Sequence, residues 1–280
     1  MNPWLKQVKF VHALAIAIVI STIYVPEALA KPARSPNLLV QILRFFTPRD
    51  NRNRESPAGR QKGGATRDRC PTIQPPQPPL TALVPATPDG TPFVEKTIQD
   101  RPIFWFYVPF VPTSSRNAEF AIFDESEKDV YAAKFLLTQQ PGIVRLQLPN
   151  TMPALQEGKR YRWVFSVICN AANRSGDATV NGWVQRVSLT PELNRQLQQK
   201  NELTVISAYA NAALWHEMLT AMAEFQRQKP QNSQAKATWM STLHLLGLTK
   251  PVSDHWNTYR LPLTSPLPQT SGGFTKNQAM

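Results

Sequence analysis

From Leu80 to Leu189 the chain alternates apolar and polar residues with a period of two, a pattern that strands satisfy and helices do not. Val144, Leu146 and Leu148 fall on one side, with Arg145 and Gln147 on the other. Tyr161, Trp163, Phe165 and Val167 alternate in the same way with Arg160, Arg162, Val164 and Ser166. Successive side chains of a strand point to opposite faces, so each segment predicts one buried and one polar face. Further strands are expected at 81–85, 103–108, 119–123, 129–137 and 179–188, with Asp124 to Lys128 as a polar hairpin connector. The block Phe104-Trp105-Phe106-Tyr107 has no polar gap, which predicts a central strand covered on both faces. About seven short strands with little helix between them predict an antiparallel, immunoglobulin-like β-sandwich over 80–189.

Pro191 closes this region and suits the first turn of a helix, with Thr190 as its cap. Residues 190–248 read as helical, so the fold class is α+β. Tyr209, Met218, Met222 and Pro230 stand at the spacing of a tetratricopeptide-like hairpin, without that repeat's usual Trp and Gly. A further helix is expected over 233–246, stopped by Gly247. A solitary helical pair cannot bury its own apolar face, so these helices must dock on the sandwich or on another protein. The Pro-rich stretch 249–280 is expected to be a disordered tail.

The first thirty residues constrain compartment. Lys6 and Lys9 precede an apolar run from Phe10 to Ile23, and Ala28-Leu29-Ala30 supplies small residues for cleavage. That run is shorter than the ~20 residues needed to span a bilayer, so export to the periplasm or cell exterior is expected, with a mature start at Lys31. The net charge of +12 is concentrated: residues 31–69 carry ten Lys and Arg against three Asp and Glu. Residues 70–280 carry nineteen against fifteen, a body near neutral for its size. A basic arm on an exported chain meets anionic lipid, polysaccharide or an acidic partner rather than nucleic acid. Residues 31–79 are read as this irregular arm and linker. The apolar stretch 38–46 within it is a candidate membrane-surface segment. Two cysteines, Cys70 and Cys169, suit a single disulfide in an oxidising compartment, with two separate thiols as the alternative.

Several strings carry a resemblance. They include Gly63-Gly64-Ala65-Thr66-Arg67-Asp68-Arg69-Cys70-Pro71, Phe104 to Pro109, Pro141 to Val144, Gly158 to Ser166, Arg174-Ser175 and Gly182-Trp183-Val184. Through these the chain resembles a family of exported cyanobacterial proteins, the domain of unknown function numbered 928. The resemblance spans most of 63–248 and implies the same strand-then-helix layout, without implying an activity or ligand. The chain departs from the family at Asn170-Ala171, where members carry Asp-Pro. It departs again at Ala213, where members commonly carry Gly.

Chemistry is sparse. His216-Glu217 begins like a zinc-protease helix but lacks the second His four residues on, so no metal site is expected. Nucleophile-elbow and phosphate-loop patterns are absent, and no cofactor is expected. The acidic cluster Asp124, Glu125, Glu127 and Asp129 reads as a solvated hairpin tip. What remains is a cationic and aromatic set: Arg145, Arg160, Arg162 and Arg186 near Tyr161, Trp163 and Trp183. Arg forks suit carboxylate or sulfate groups, and an ordinary polar outer face is the alternative. The expected function is a non-catalytic envelope binding or assembly module with a protein or acidic-polysaccharide partner. The rivals are a glycan-directed hydrolase and a membrane-surface protein tethered through 38–46.

Overall fold

The computed structural model describes residues 38–46, 57–63, 78–109, 117–137 and 142–248, and the backbone of 256–257. The export segment 1–30 and Cys70 lie outside the described residues. No described helix is long and apolar enough to cross a membrane.

The described residues form a mixed α+β unit with two sheets and five helices. Helix α1 (Leu38–Arg44) comes first, followed by strands β1 (Thr81–Ala82), β2 (Val94–Thr97), β3 (Ile103–Val108) and β4 (Asn117–Phe123). Strands β5 (Asp129–Leu136), β6 (Gly142–Gln147), β7 (Arg160–Val167) and β8 (Ala178–Arg186) complete the β region. Helices α2 (Pro191–Leu197), α3 (Glu202–Asn211), α4 (Trp215–Gln228) and α5 (Ser233–Leu245) follow, and β9 (Trp256–Asn257) returns to a sheet. The larger sheet runs β2-β8-β7-β4-β5 and the smaller β1-β3-β6-β9. Pairings are antiparallel except β2 with β8 and β6 with β9.

The alternating residues meet between the sheets. Phe106 of β3 stacks on Phe165 of β7 at 4.1 Å, and Phe104 lies 5.0 Å from Phe120 and 5.8 Å from Trp163. Trp163 is so deep that an added Cβ on Gly182, its cross-strand partner, would come within 2.5 Å of the ring. The other side of β3 faces the helices: Trp105 donates its indole N–H to Thr220 Oγ1 (2.9 Å) and meets Trp239 edge-on. This central strand is therefore covered on both faces, as its unbroken apolar block predicts.

Helix ends follow local chemistry. Thr190 caps α2 through Leu193 N–H, with Pro191 in the first turn; Asn201 and Asn232 cap α3 and α5. Both α3 and α5 end with a residue in the left-handed region, Ala213 at φ 55° and Gly247 at φ 77°. In each case the next N–H reaches back five residues, Leu214 to Tyr209 O and Leu248 to Leu243 O, which satisfies carbonyls the helix leaves over.

Three sequence expectations need correction. Residues 38–46 do not belong to an irregular arm: Leu38, Ile42 and Phe45 are core residues, and Phe45 and Phe46 pack edge-on against Trp215. Residues 57–63 also bond to the body, with Arg60 bridged to Asn181 and Lys62 to Thr81. Strand β2 was absent from the expected set because four residues flanked by turn formers carry too short an alternation. Within the stretch 249–280, Trp256 and Asn257 pair with Ile143 and Val144; the remainder lies outside the described residues.

Candidate binding face

The registers decide which of the cationic and aromatic residues share a surface. On β7 the core positions are Tyr161, Trp163, Phe165 and Val167, so Arg160 and Arg162 point outward. Arg162 faces Trp183 across the β7–β8 ladder, and Arg160 faces Gln185. Strand β2 extends both rows, with Val94 beside Trp183 and Lys96 beside Gln185. The outward surface of the larger sheet thus carries a row Lys96–Gln185–Arg160 and a parallel row Val94–Trp183–Arg162–Phe123. Lys96 is exposed, and Trp183, Gln185 and Arg160 are half-buried.

The sequence could not separate the remaining members. Tyr161 and Trp163 are core residues, and exposing a buried side chain of that size costs about 2–3 kcal/mol. Tyr161 spends its hydroxyl on Gln156 N–H at 3.0 Å. Arg145 stands on the smaller sheet opposite Trp105 and reaches Glu224 of α4 at 3.8 Å. Arg186 pairs with Thr97 at the sheet edge and donates to Leu155 O at 2.5 Å. The structure therefore brings together Arg160, Arg162 and Trp183, and adds Lys96 and Gln185. Lys96 was missed because its strand was missed; Gln185 is visible only once the β7–β8 register is known.

Arg162 is held in place. Its guanidinium forks onto Glu127, with Nε at 2.9 Å from Oε1, and lies 4.5 Å above the Phe123 ring. Glu127 sits in the β4–β5 turn at φ 59°, an unusual conformation for a side-chain-bearing residue. Asp124 closes the same turn by accepting from Ser126 and Lys128 N–H, so the acidic tip is occupied with its own geometry.

A second polar cluster braces the far end of this sheet. Arg174 donates to Glu119 (2.8 Å) and to Asp177, whose other oxygen accepts from Cys169 N–H at 3.0 Å. Burial raises the pKa of the Asp177 carboxyl, against the pull of Arg174. Cys169 is not a free thiol. Its expected partner, Cys70, lies outside the described residues, so the pairing is carried forward as a proposal.

His216 and Glu217 sit where α4 meets the sheets. Trp215 donates to Leu83 O (2.7 Å), His216 Nδ1–H to Ile103 O (3.2 Å), and Glu217 accepts from Thr97 Oγ1 (2.5 Å) and Ile98 N–H (2.8 Å). Three consecutive side chains thus tie one helical turn to β2, β3 and the loop after β1. Burial lowers the His216 pKa to about 4 and raises that of Glu217. His216 Nε2 and Glu217 Oε2 have no hydrogen-bond partner among the described residues. No three His, Cys, Asp or Glu among the described residues gather as metal ligands. A cavity of about 820 Å³ opens between residues 59–62, the 86–90 turn and the end of α5. Asp89 is the one carboxylate among the described residues of its lining; the Thr87 and Thr91 hydroxyls bond to it and lower its pKa.

The profile of the Domain of Unknown Function (DUF928) matches residues 62–255. The chain belongs to this family. The matched span takes in strands β1 to β8, the outward rows and helices α2 to α5. No match was found among curated proteins.

Proposed function

We propose that this family member is an exported, non-catalytic binding module of the cell envelope, and that its ligand lies on the outward surface of the β2-β8-β7 strands. The observation that carries this reading is the registered alignment of Lys96, Gln185 and Arg160 beside Trp183. An outward sheet surface with an aromatic ring among polar side chains suits an extended ligand, whereas chemistry calls for a cleft. Glycoside hydrolysis uses two carboxylates across such a cleft; among the described residues the cavity beside α5 offers one. The membrane-tether reading is weakened because the segment 38–46 buries Leu38, Ile42 and Phe45 in the core, leaving Val40 and Leu43 as its exposed large apolar side chains.

The finer fold reading is an immunoglobulin-type sandwich. It is supported by β4 and β5 forming a hairpin, β7 lying between β4 and β8, and β3 pairing with β6 across the chain. The α3–α4 hairpin is read as one tetratricopeptide-like unit that buries Met218 and Met222 on the body rather than on a second repeat. In the exported protein, Cys70 and Cys169 are proposed to form its single disulfide.

The test is binding of the mature protein to its native envelope fraction. Wild type should bind without releasing soluble sugar, and Trp183→Ala should lose binding while remaining folded. Release of reducing ends, or full binding by Trp183→Ala, would replace this reading with the hydrolase or with another surface.

A further inference from the structure

Two ionisable side chains, His216 and Glu217, are buried side by side in the first turn of α4, 3% and 7% exposed. A carbonyl oxygen only accepts, so the bond to Ile103 O fixes the His216 proton on Nδ1 and leaves Nε2 bare. Glu217 uses Oε1 to accept from Thr97 Oγ1 and Ile98 N–H. Each group thus has one atom tied to the β region and one, Nε2 or Oε2, buried with no hydrogen-bond partner among the described residues. Burial favours the neutral form of both: it pulls the His216 pKa down to about 4 and pushes that of Glu217 up. Among the described residues, the ionisable groups packed around this turn are Glu95, inward on β2, Tyr209 of α3, and Arg186 of β8, which donates to Leu155 O. Burial, and then the Glu217 charge, raise the Tyr209 pKa. Asp100 and Arg101, in the loop after β2, pair with each other, as do Glu192 and Arg195 on α2. None of these groups bonds to His216 Nε2 or Glu217 Oε2.

We infer that this turn is a proton-exchanging clamp between the helices and the sheets: when α4 lifts away, Glu217 Oε2 gives its proton to water and His216 Nε2 takes one up. One O–H bond breaks and one N–H bond forms, so the buried neutral pair becomes a hydrated carboxylate and imidazolium with no net change in bound protons. Taken alone, His216 makes opening easier as pH falls from 6.5 toward 4, because the open form binds the extra proton. Taken alone, Glu217 makes opening easier as pH rises above 4.5, because the closed form holds the extra proton. Where the two windows overlap the slopes oppose each other. The helices then stay docked through pH changes that either group by itself would transmit.

The test is native-state hydrogen exchange on the full mature chain between pH 4.5 and 6.5, corrected for the intrinsic pH dependence of exchange. The reporter is the Ile98 amide, which donates to Glu217 Oε1. Glu217→Gln keeps an oxygen for Thr97 and Ile98, and His216→Asn keeps a donor for Ile103 O. Each is compared with the double variant, which exchanges neither proton. In Glu217→Gln the opening constant should rise as pH falls, by up to about tenfold per pH unit. In His216→Asn it should rise as pH increases, and wild type should be flatter than both. Slopes of the same sign in the two variants, or a wild type as steep as Glu217→Gln, overturn the inference. Should a variant fail to fold, ring ¹⁵N shifts of the wild type decide: His216 should stay neutral, with its proton on Nδ1, down to about pH 5. An imidazolium at that pH in the folded chain overturns the clamp.

Discussion

Replacing Ala213 with glycine should stabilise the protein. Ala213 closes α3 in the left-handed region at φ 55°, where its N–H bonds Ala210 O (3.2 Å) and the following Leu214 N–H bonds Tyr209 O (3.0 Å). A residue with a Cβ pays about 1–2 kcal/mol there, because the Cβ crowds the next carbonyl. Glycine removes that cost but gives the unfolded chain about 0.4–1 kcal/mol of extra freedom. The difference predicts a gain of about 0.5–1 kcal/mol, or about 1–4 °C in Tm for a domain of this size. The molecule supplies its own mirror image: α5 makes the same ending with Gly247 at φ 77°. Gly247→Ala should lose about 1 kcal/mol, since the nearest obstacle to its new Cβ, Lys62 Nζ at 3.0 Å, is the movable end of a side chain. Urea titrations of both variants should shift the midpoint in opposite directions at an unchanged m-value. If Ala213→Gly lowers the midpoint, the strain assigned to this helix end is absent and the reasoning fails.

Gly182→Ala should cost about 1–3 kcal/mol, because its Cβ meets the Trp163 ring at 2.5 Å in a filled core; a neutral result in thermal melts would show the core relaxing freely. His216 is neutral when folded, with a pKa of about 4 against 6.5 unfolded, so the unfolded chain binds more protons between these values. Its contribution is complete above pH 6.5 and is lost as pH falls toward 4, by about 3 kcal/mol. Glu217, shifted upward, acts oppositely, so the comparison to make is wild type against His216→Asn, whose amide can still donate to Ile103 O; parallel stability–pH curves would refute the assignment. N-terminal sequencing of natively expressed protein should begin at Lys31, and non-reducing mass spectrometry should find Cys70 joined to Cys169. An intact Met1 on cytoplasmic protein would contradict the first, and two alkylated thiols the second.

Much of the fold is legible because alternation and punctuation are local. The Phe104–Tyr107 block announces its two-sided burial, and Thr190-Pro191 and Gly247 mark helix ends with side chains or conformations that need no distant partner. What was not legible depends on partners far along the chain. The apolar stretch of α1 looks the same whether it meets lipid or Trp215, and only the fold chooses. Strand β2 is held by parallel pairing to β8, some ninety positions later, so its own four residues carry little signal. The binding face failed in the same way. Alternation places Arg160 and Arg162 outward on β7, but gives no hint that Arg145 belongs to the other sheet or that Lys96 joins the row. Parity also separates Tyr161 and Trp163 from the arginines beside them, which sequence proximity had grouped together.

The most direct test of the binding face is a titration of ¹⁵N-labelled mature protein with solubilised native envelope polysaccharide, followed by amide and indole chemical shifts. Perturbations should concentrate on residues 94–96, 160–162 and 183–185 and on the Trp183 indole. Shifts confined to the cavity between residues 59–62 and the end of α5, or to the exposed side of α1, would contradict the account and move the ligand elsewhere.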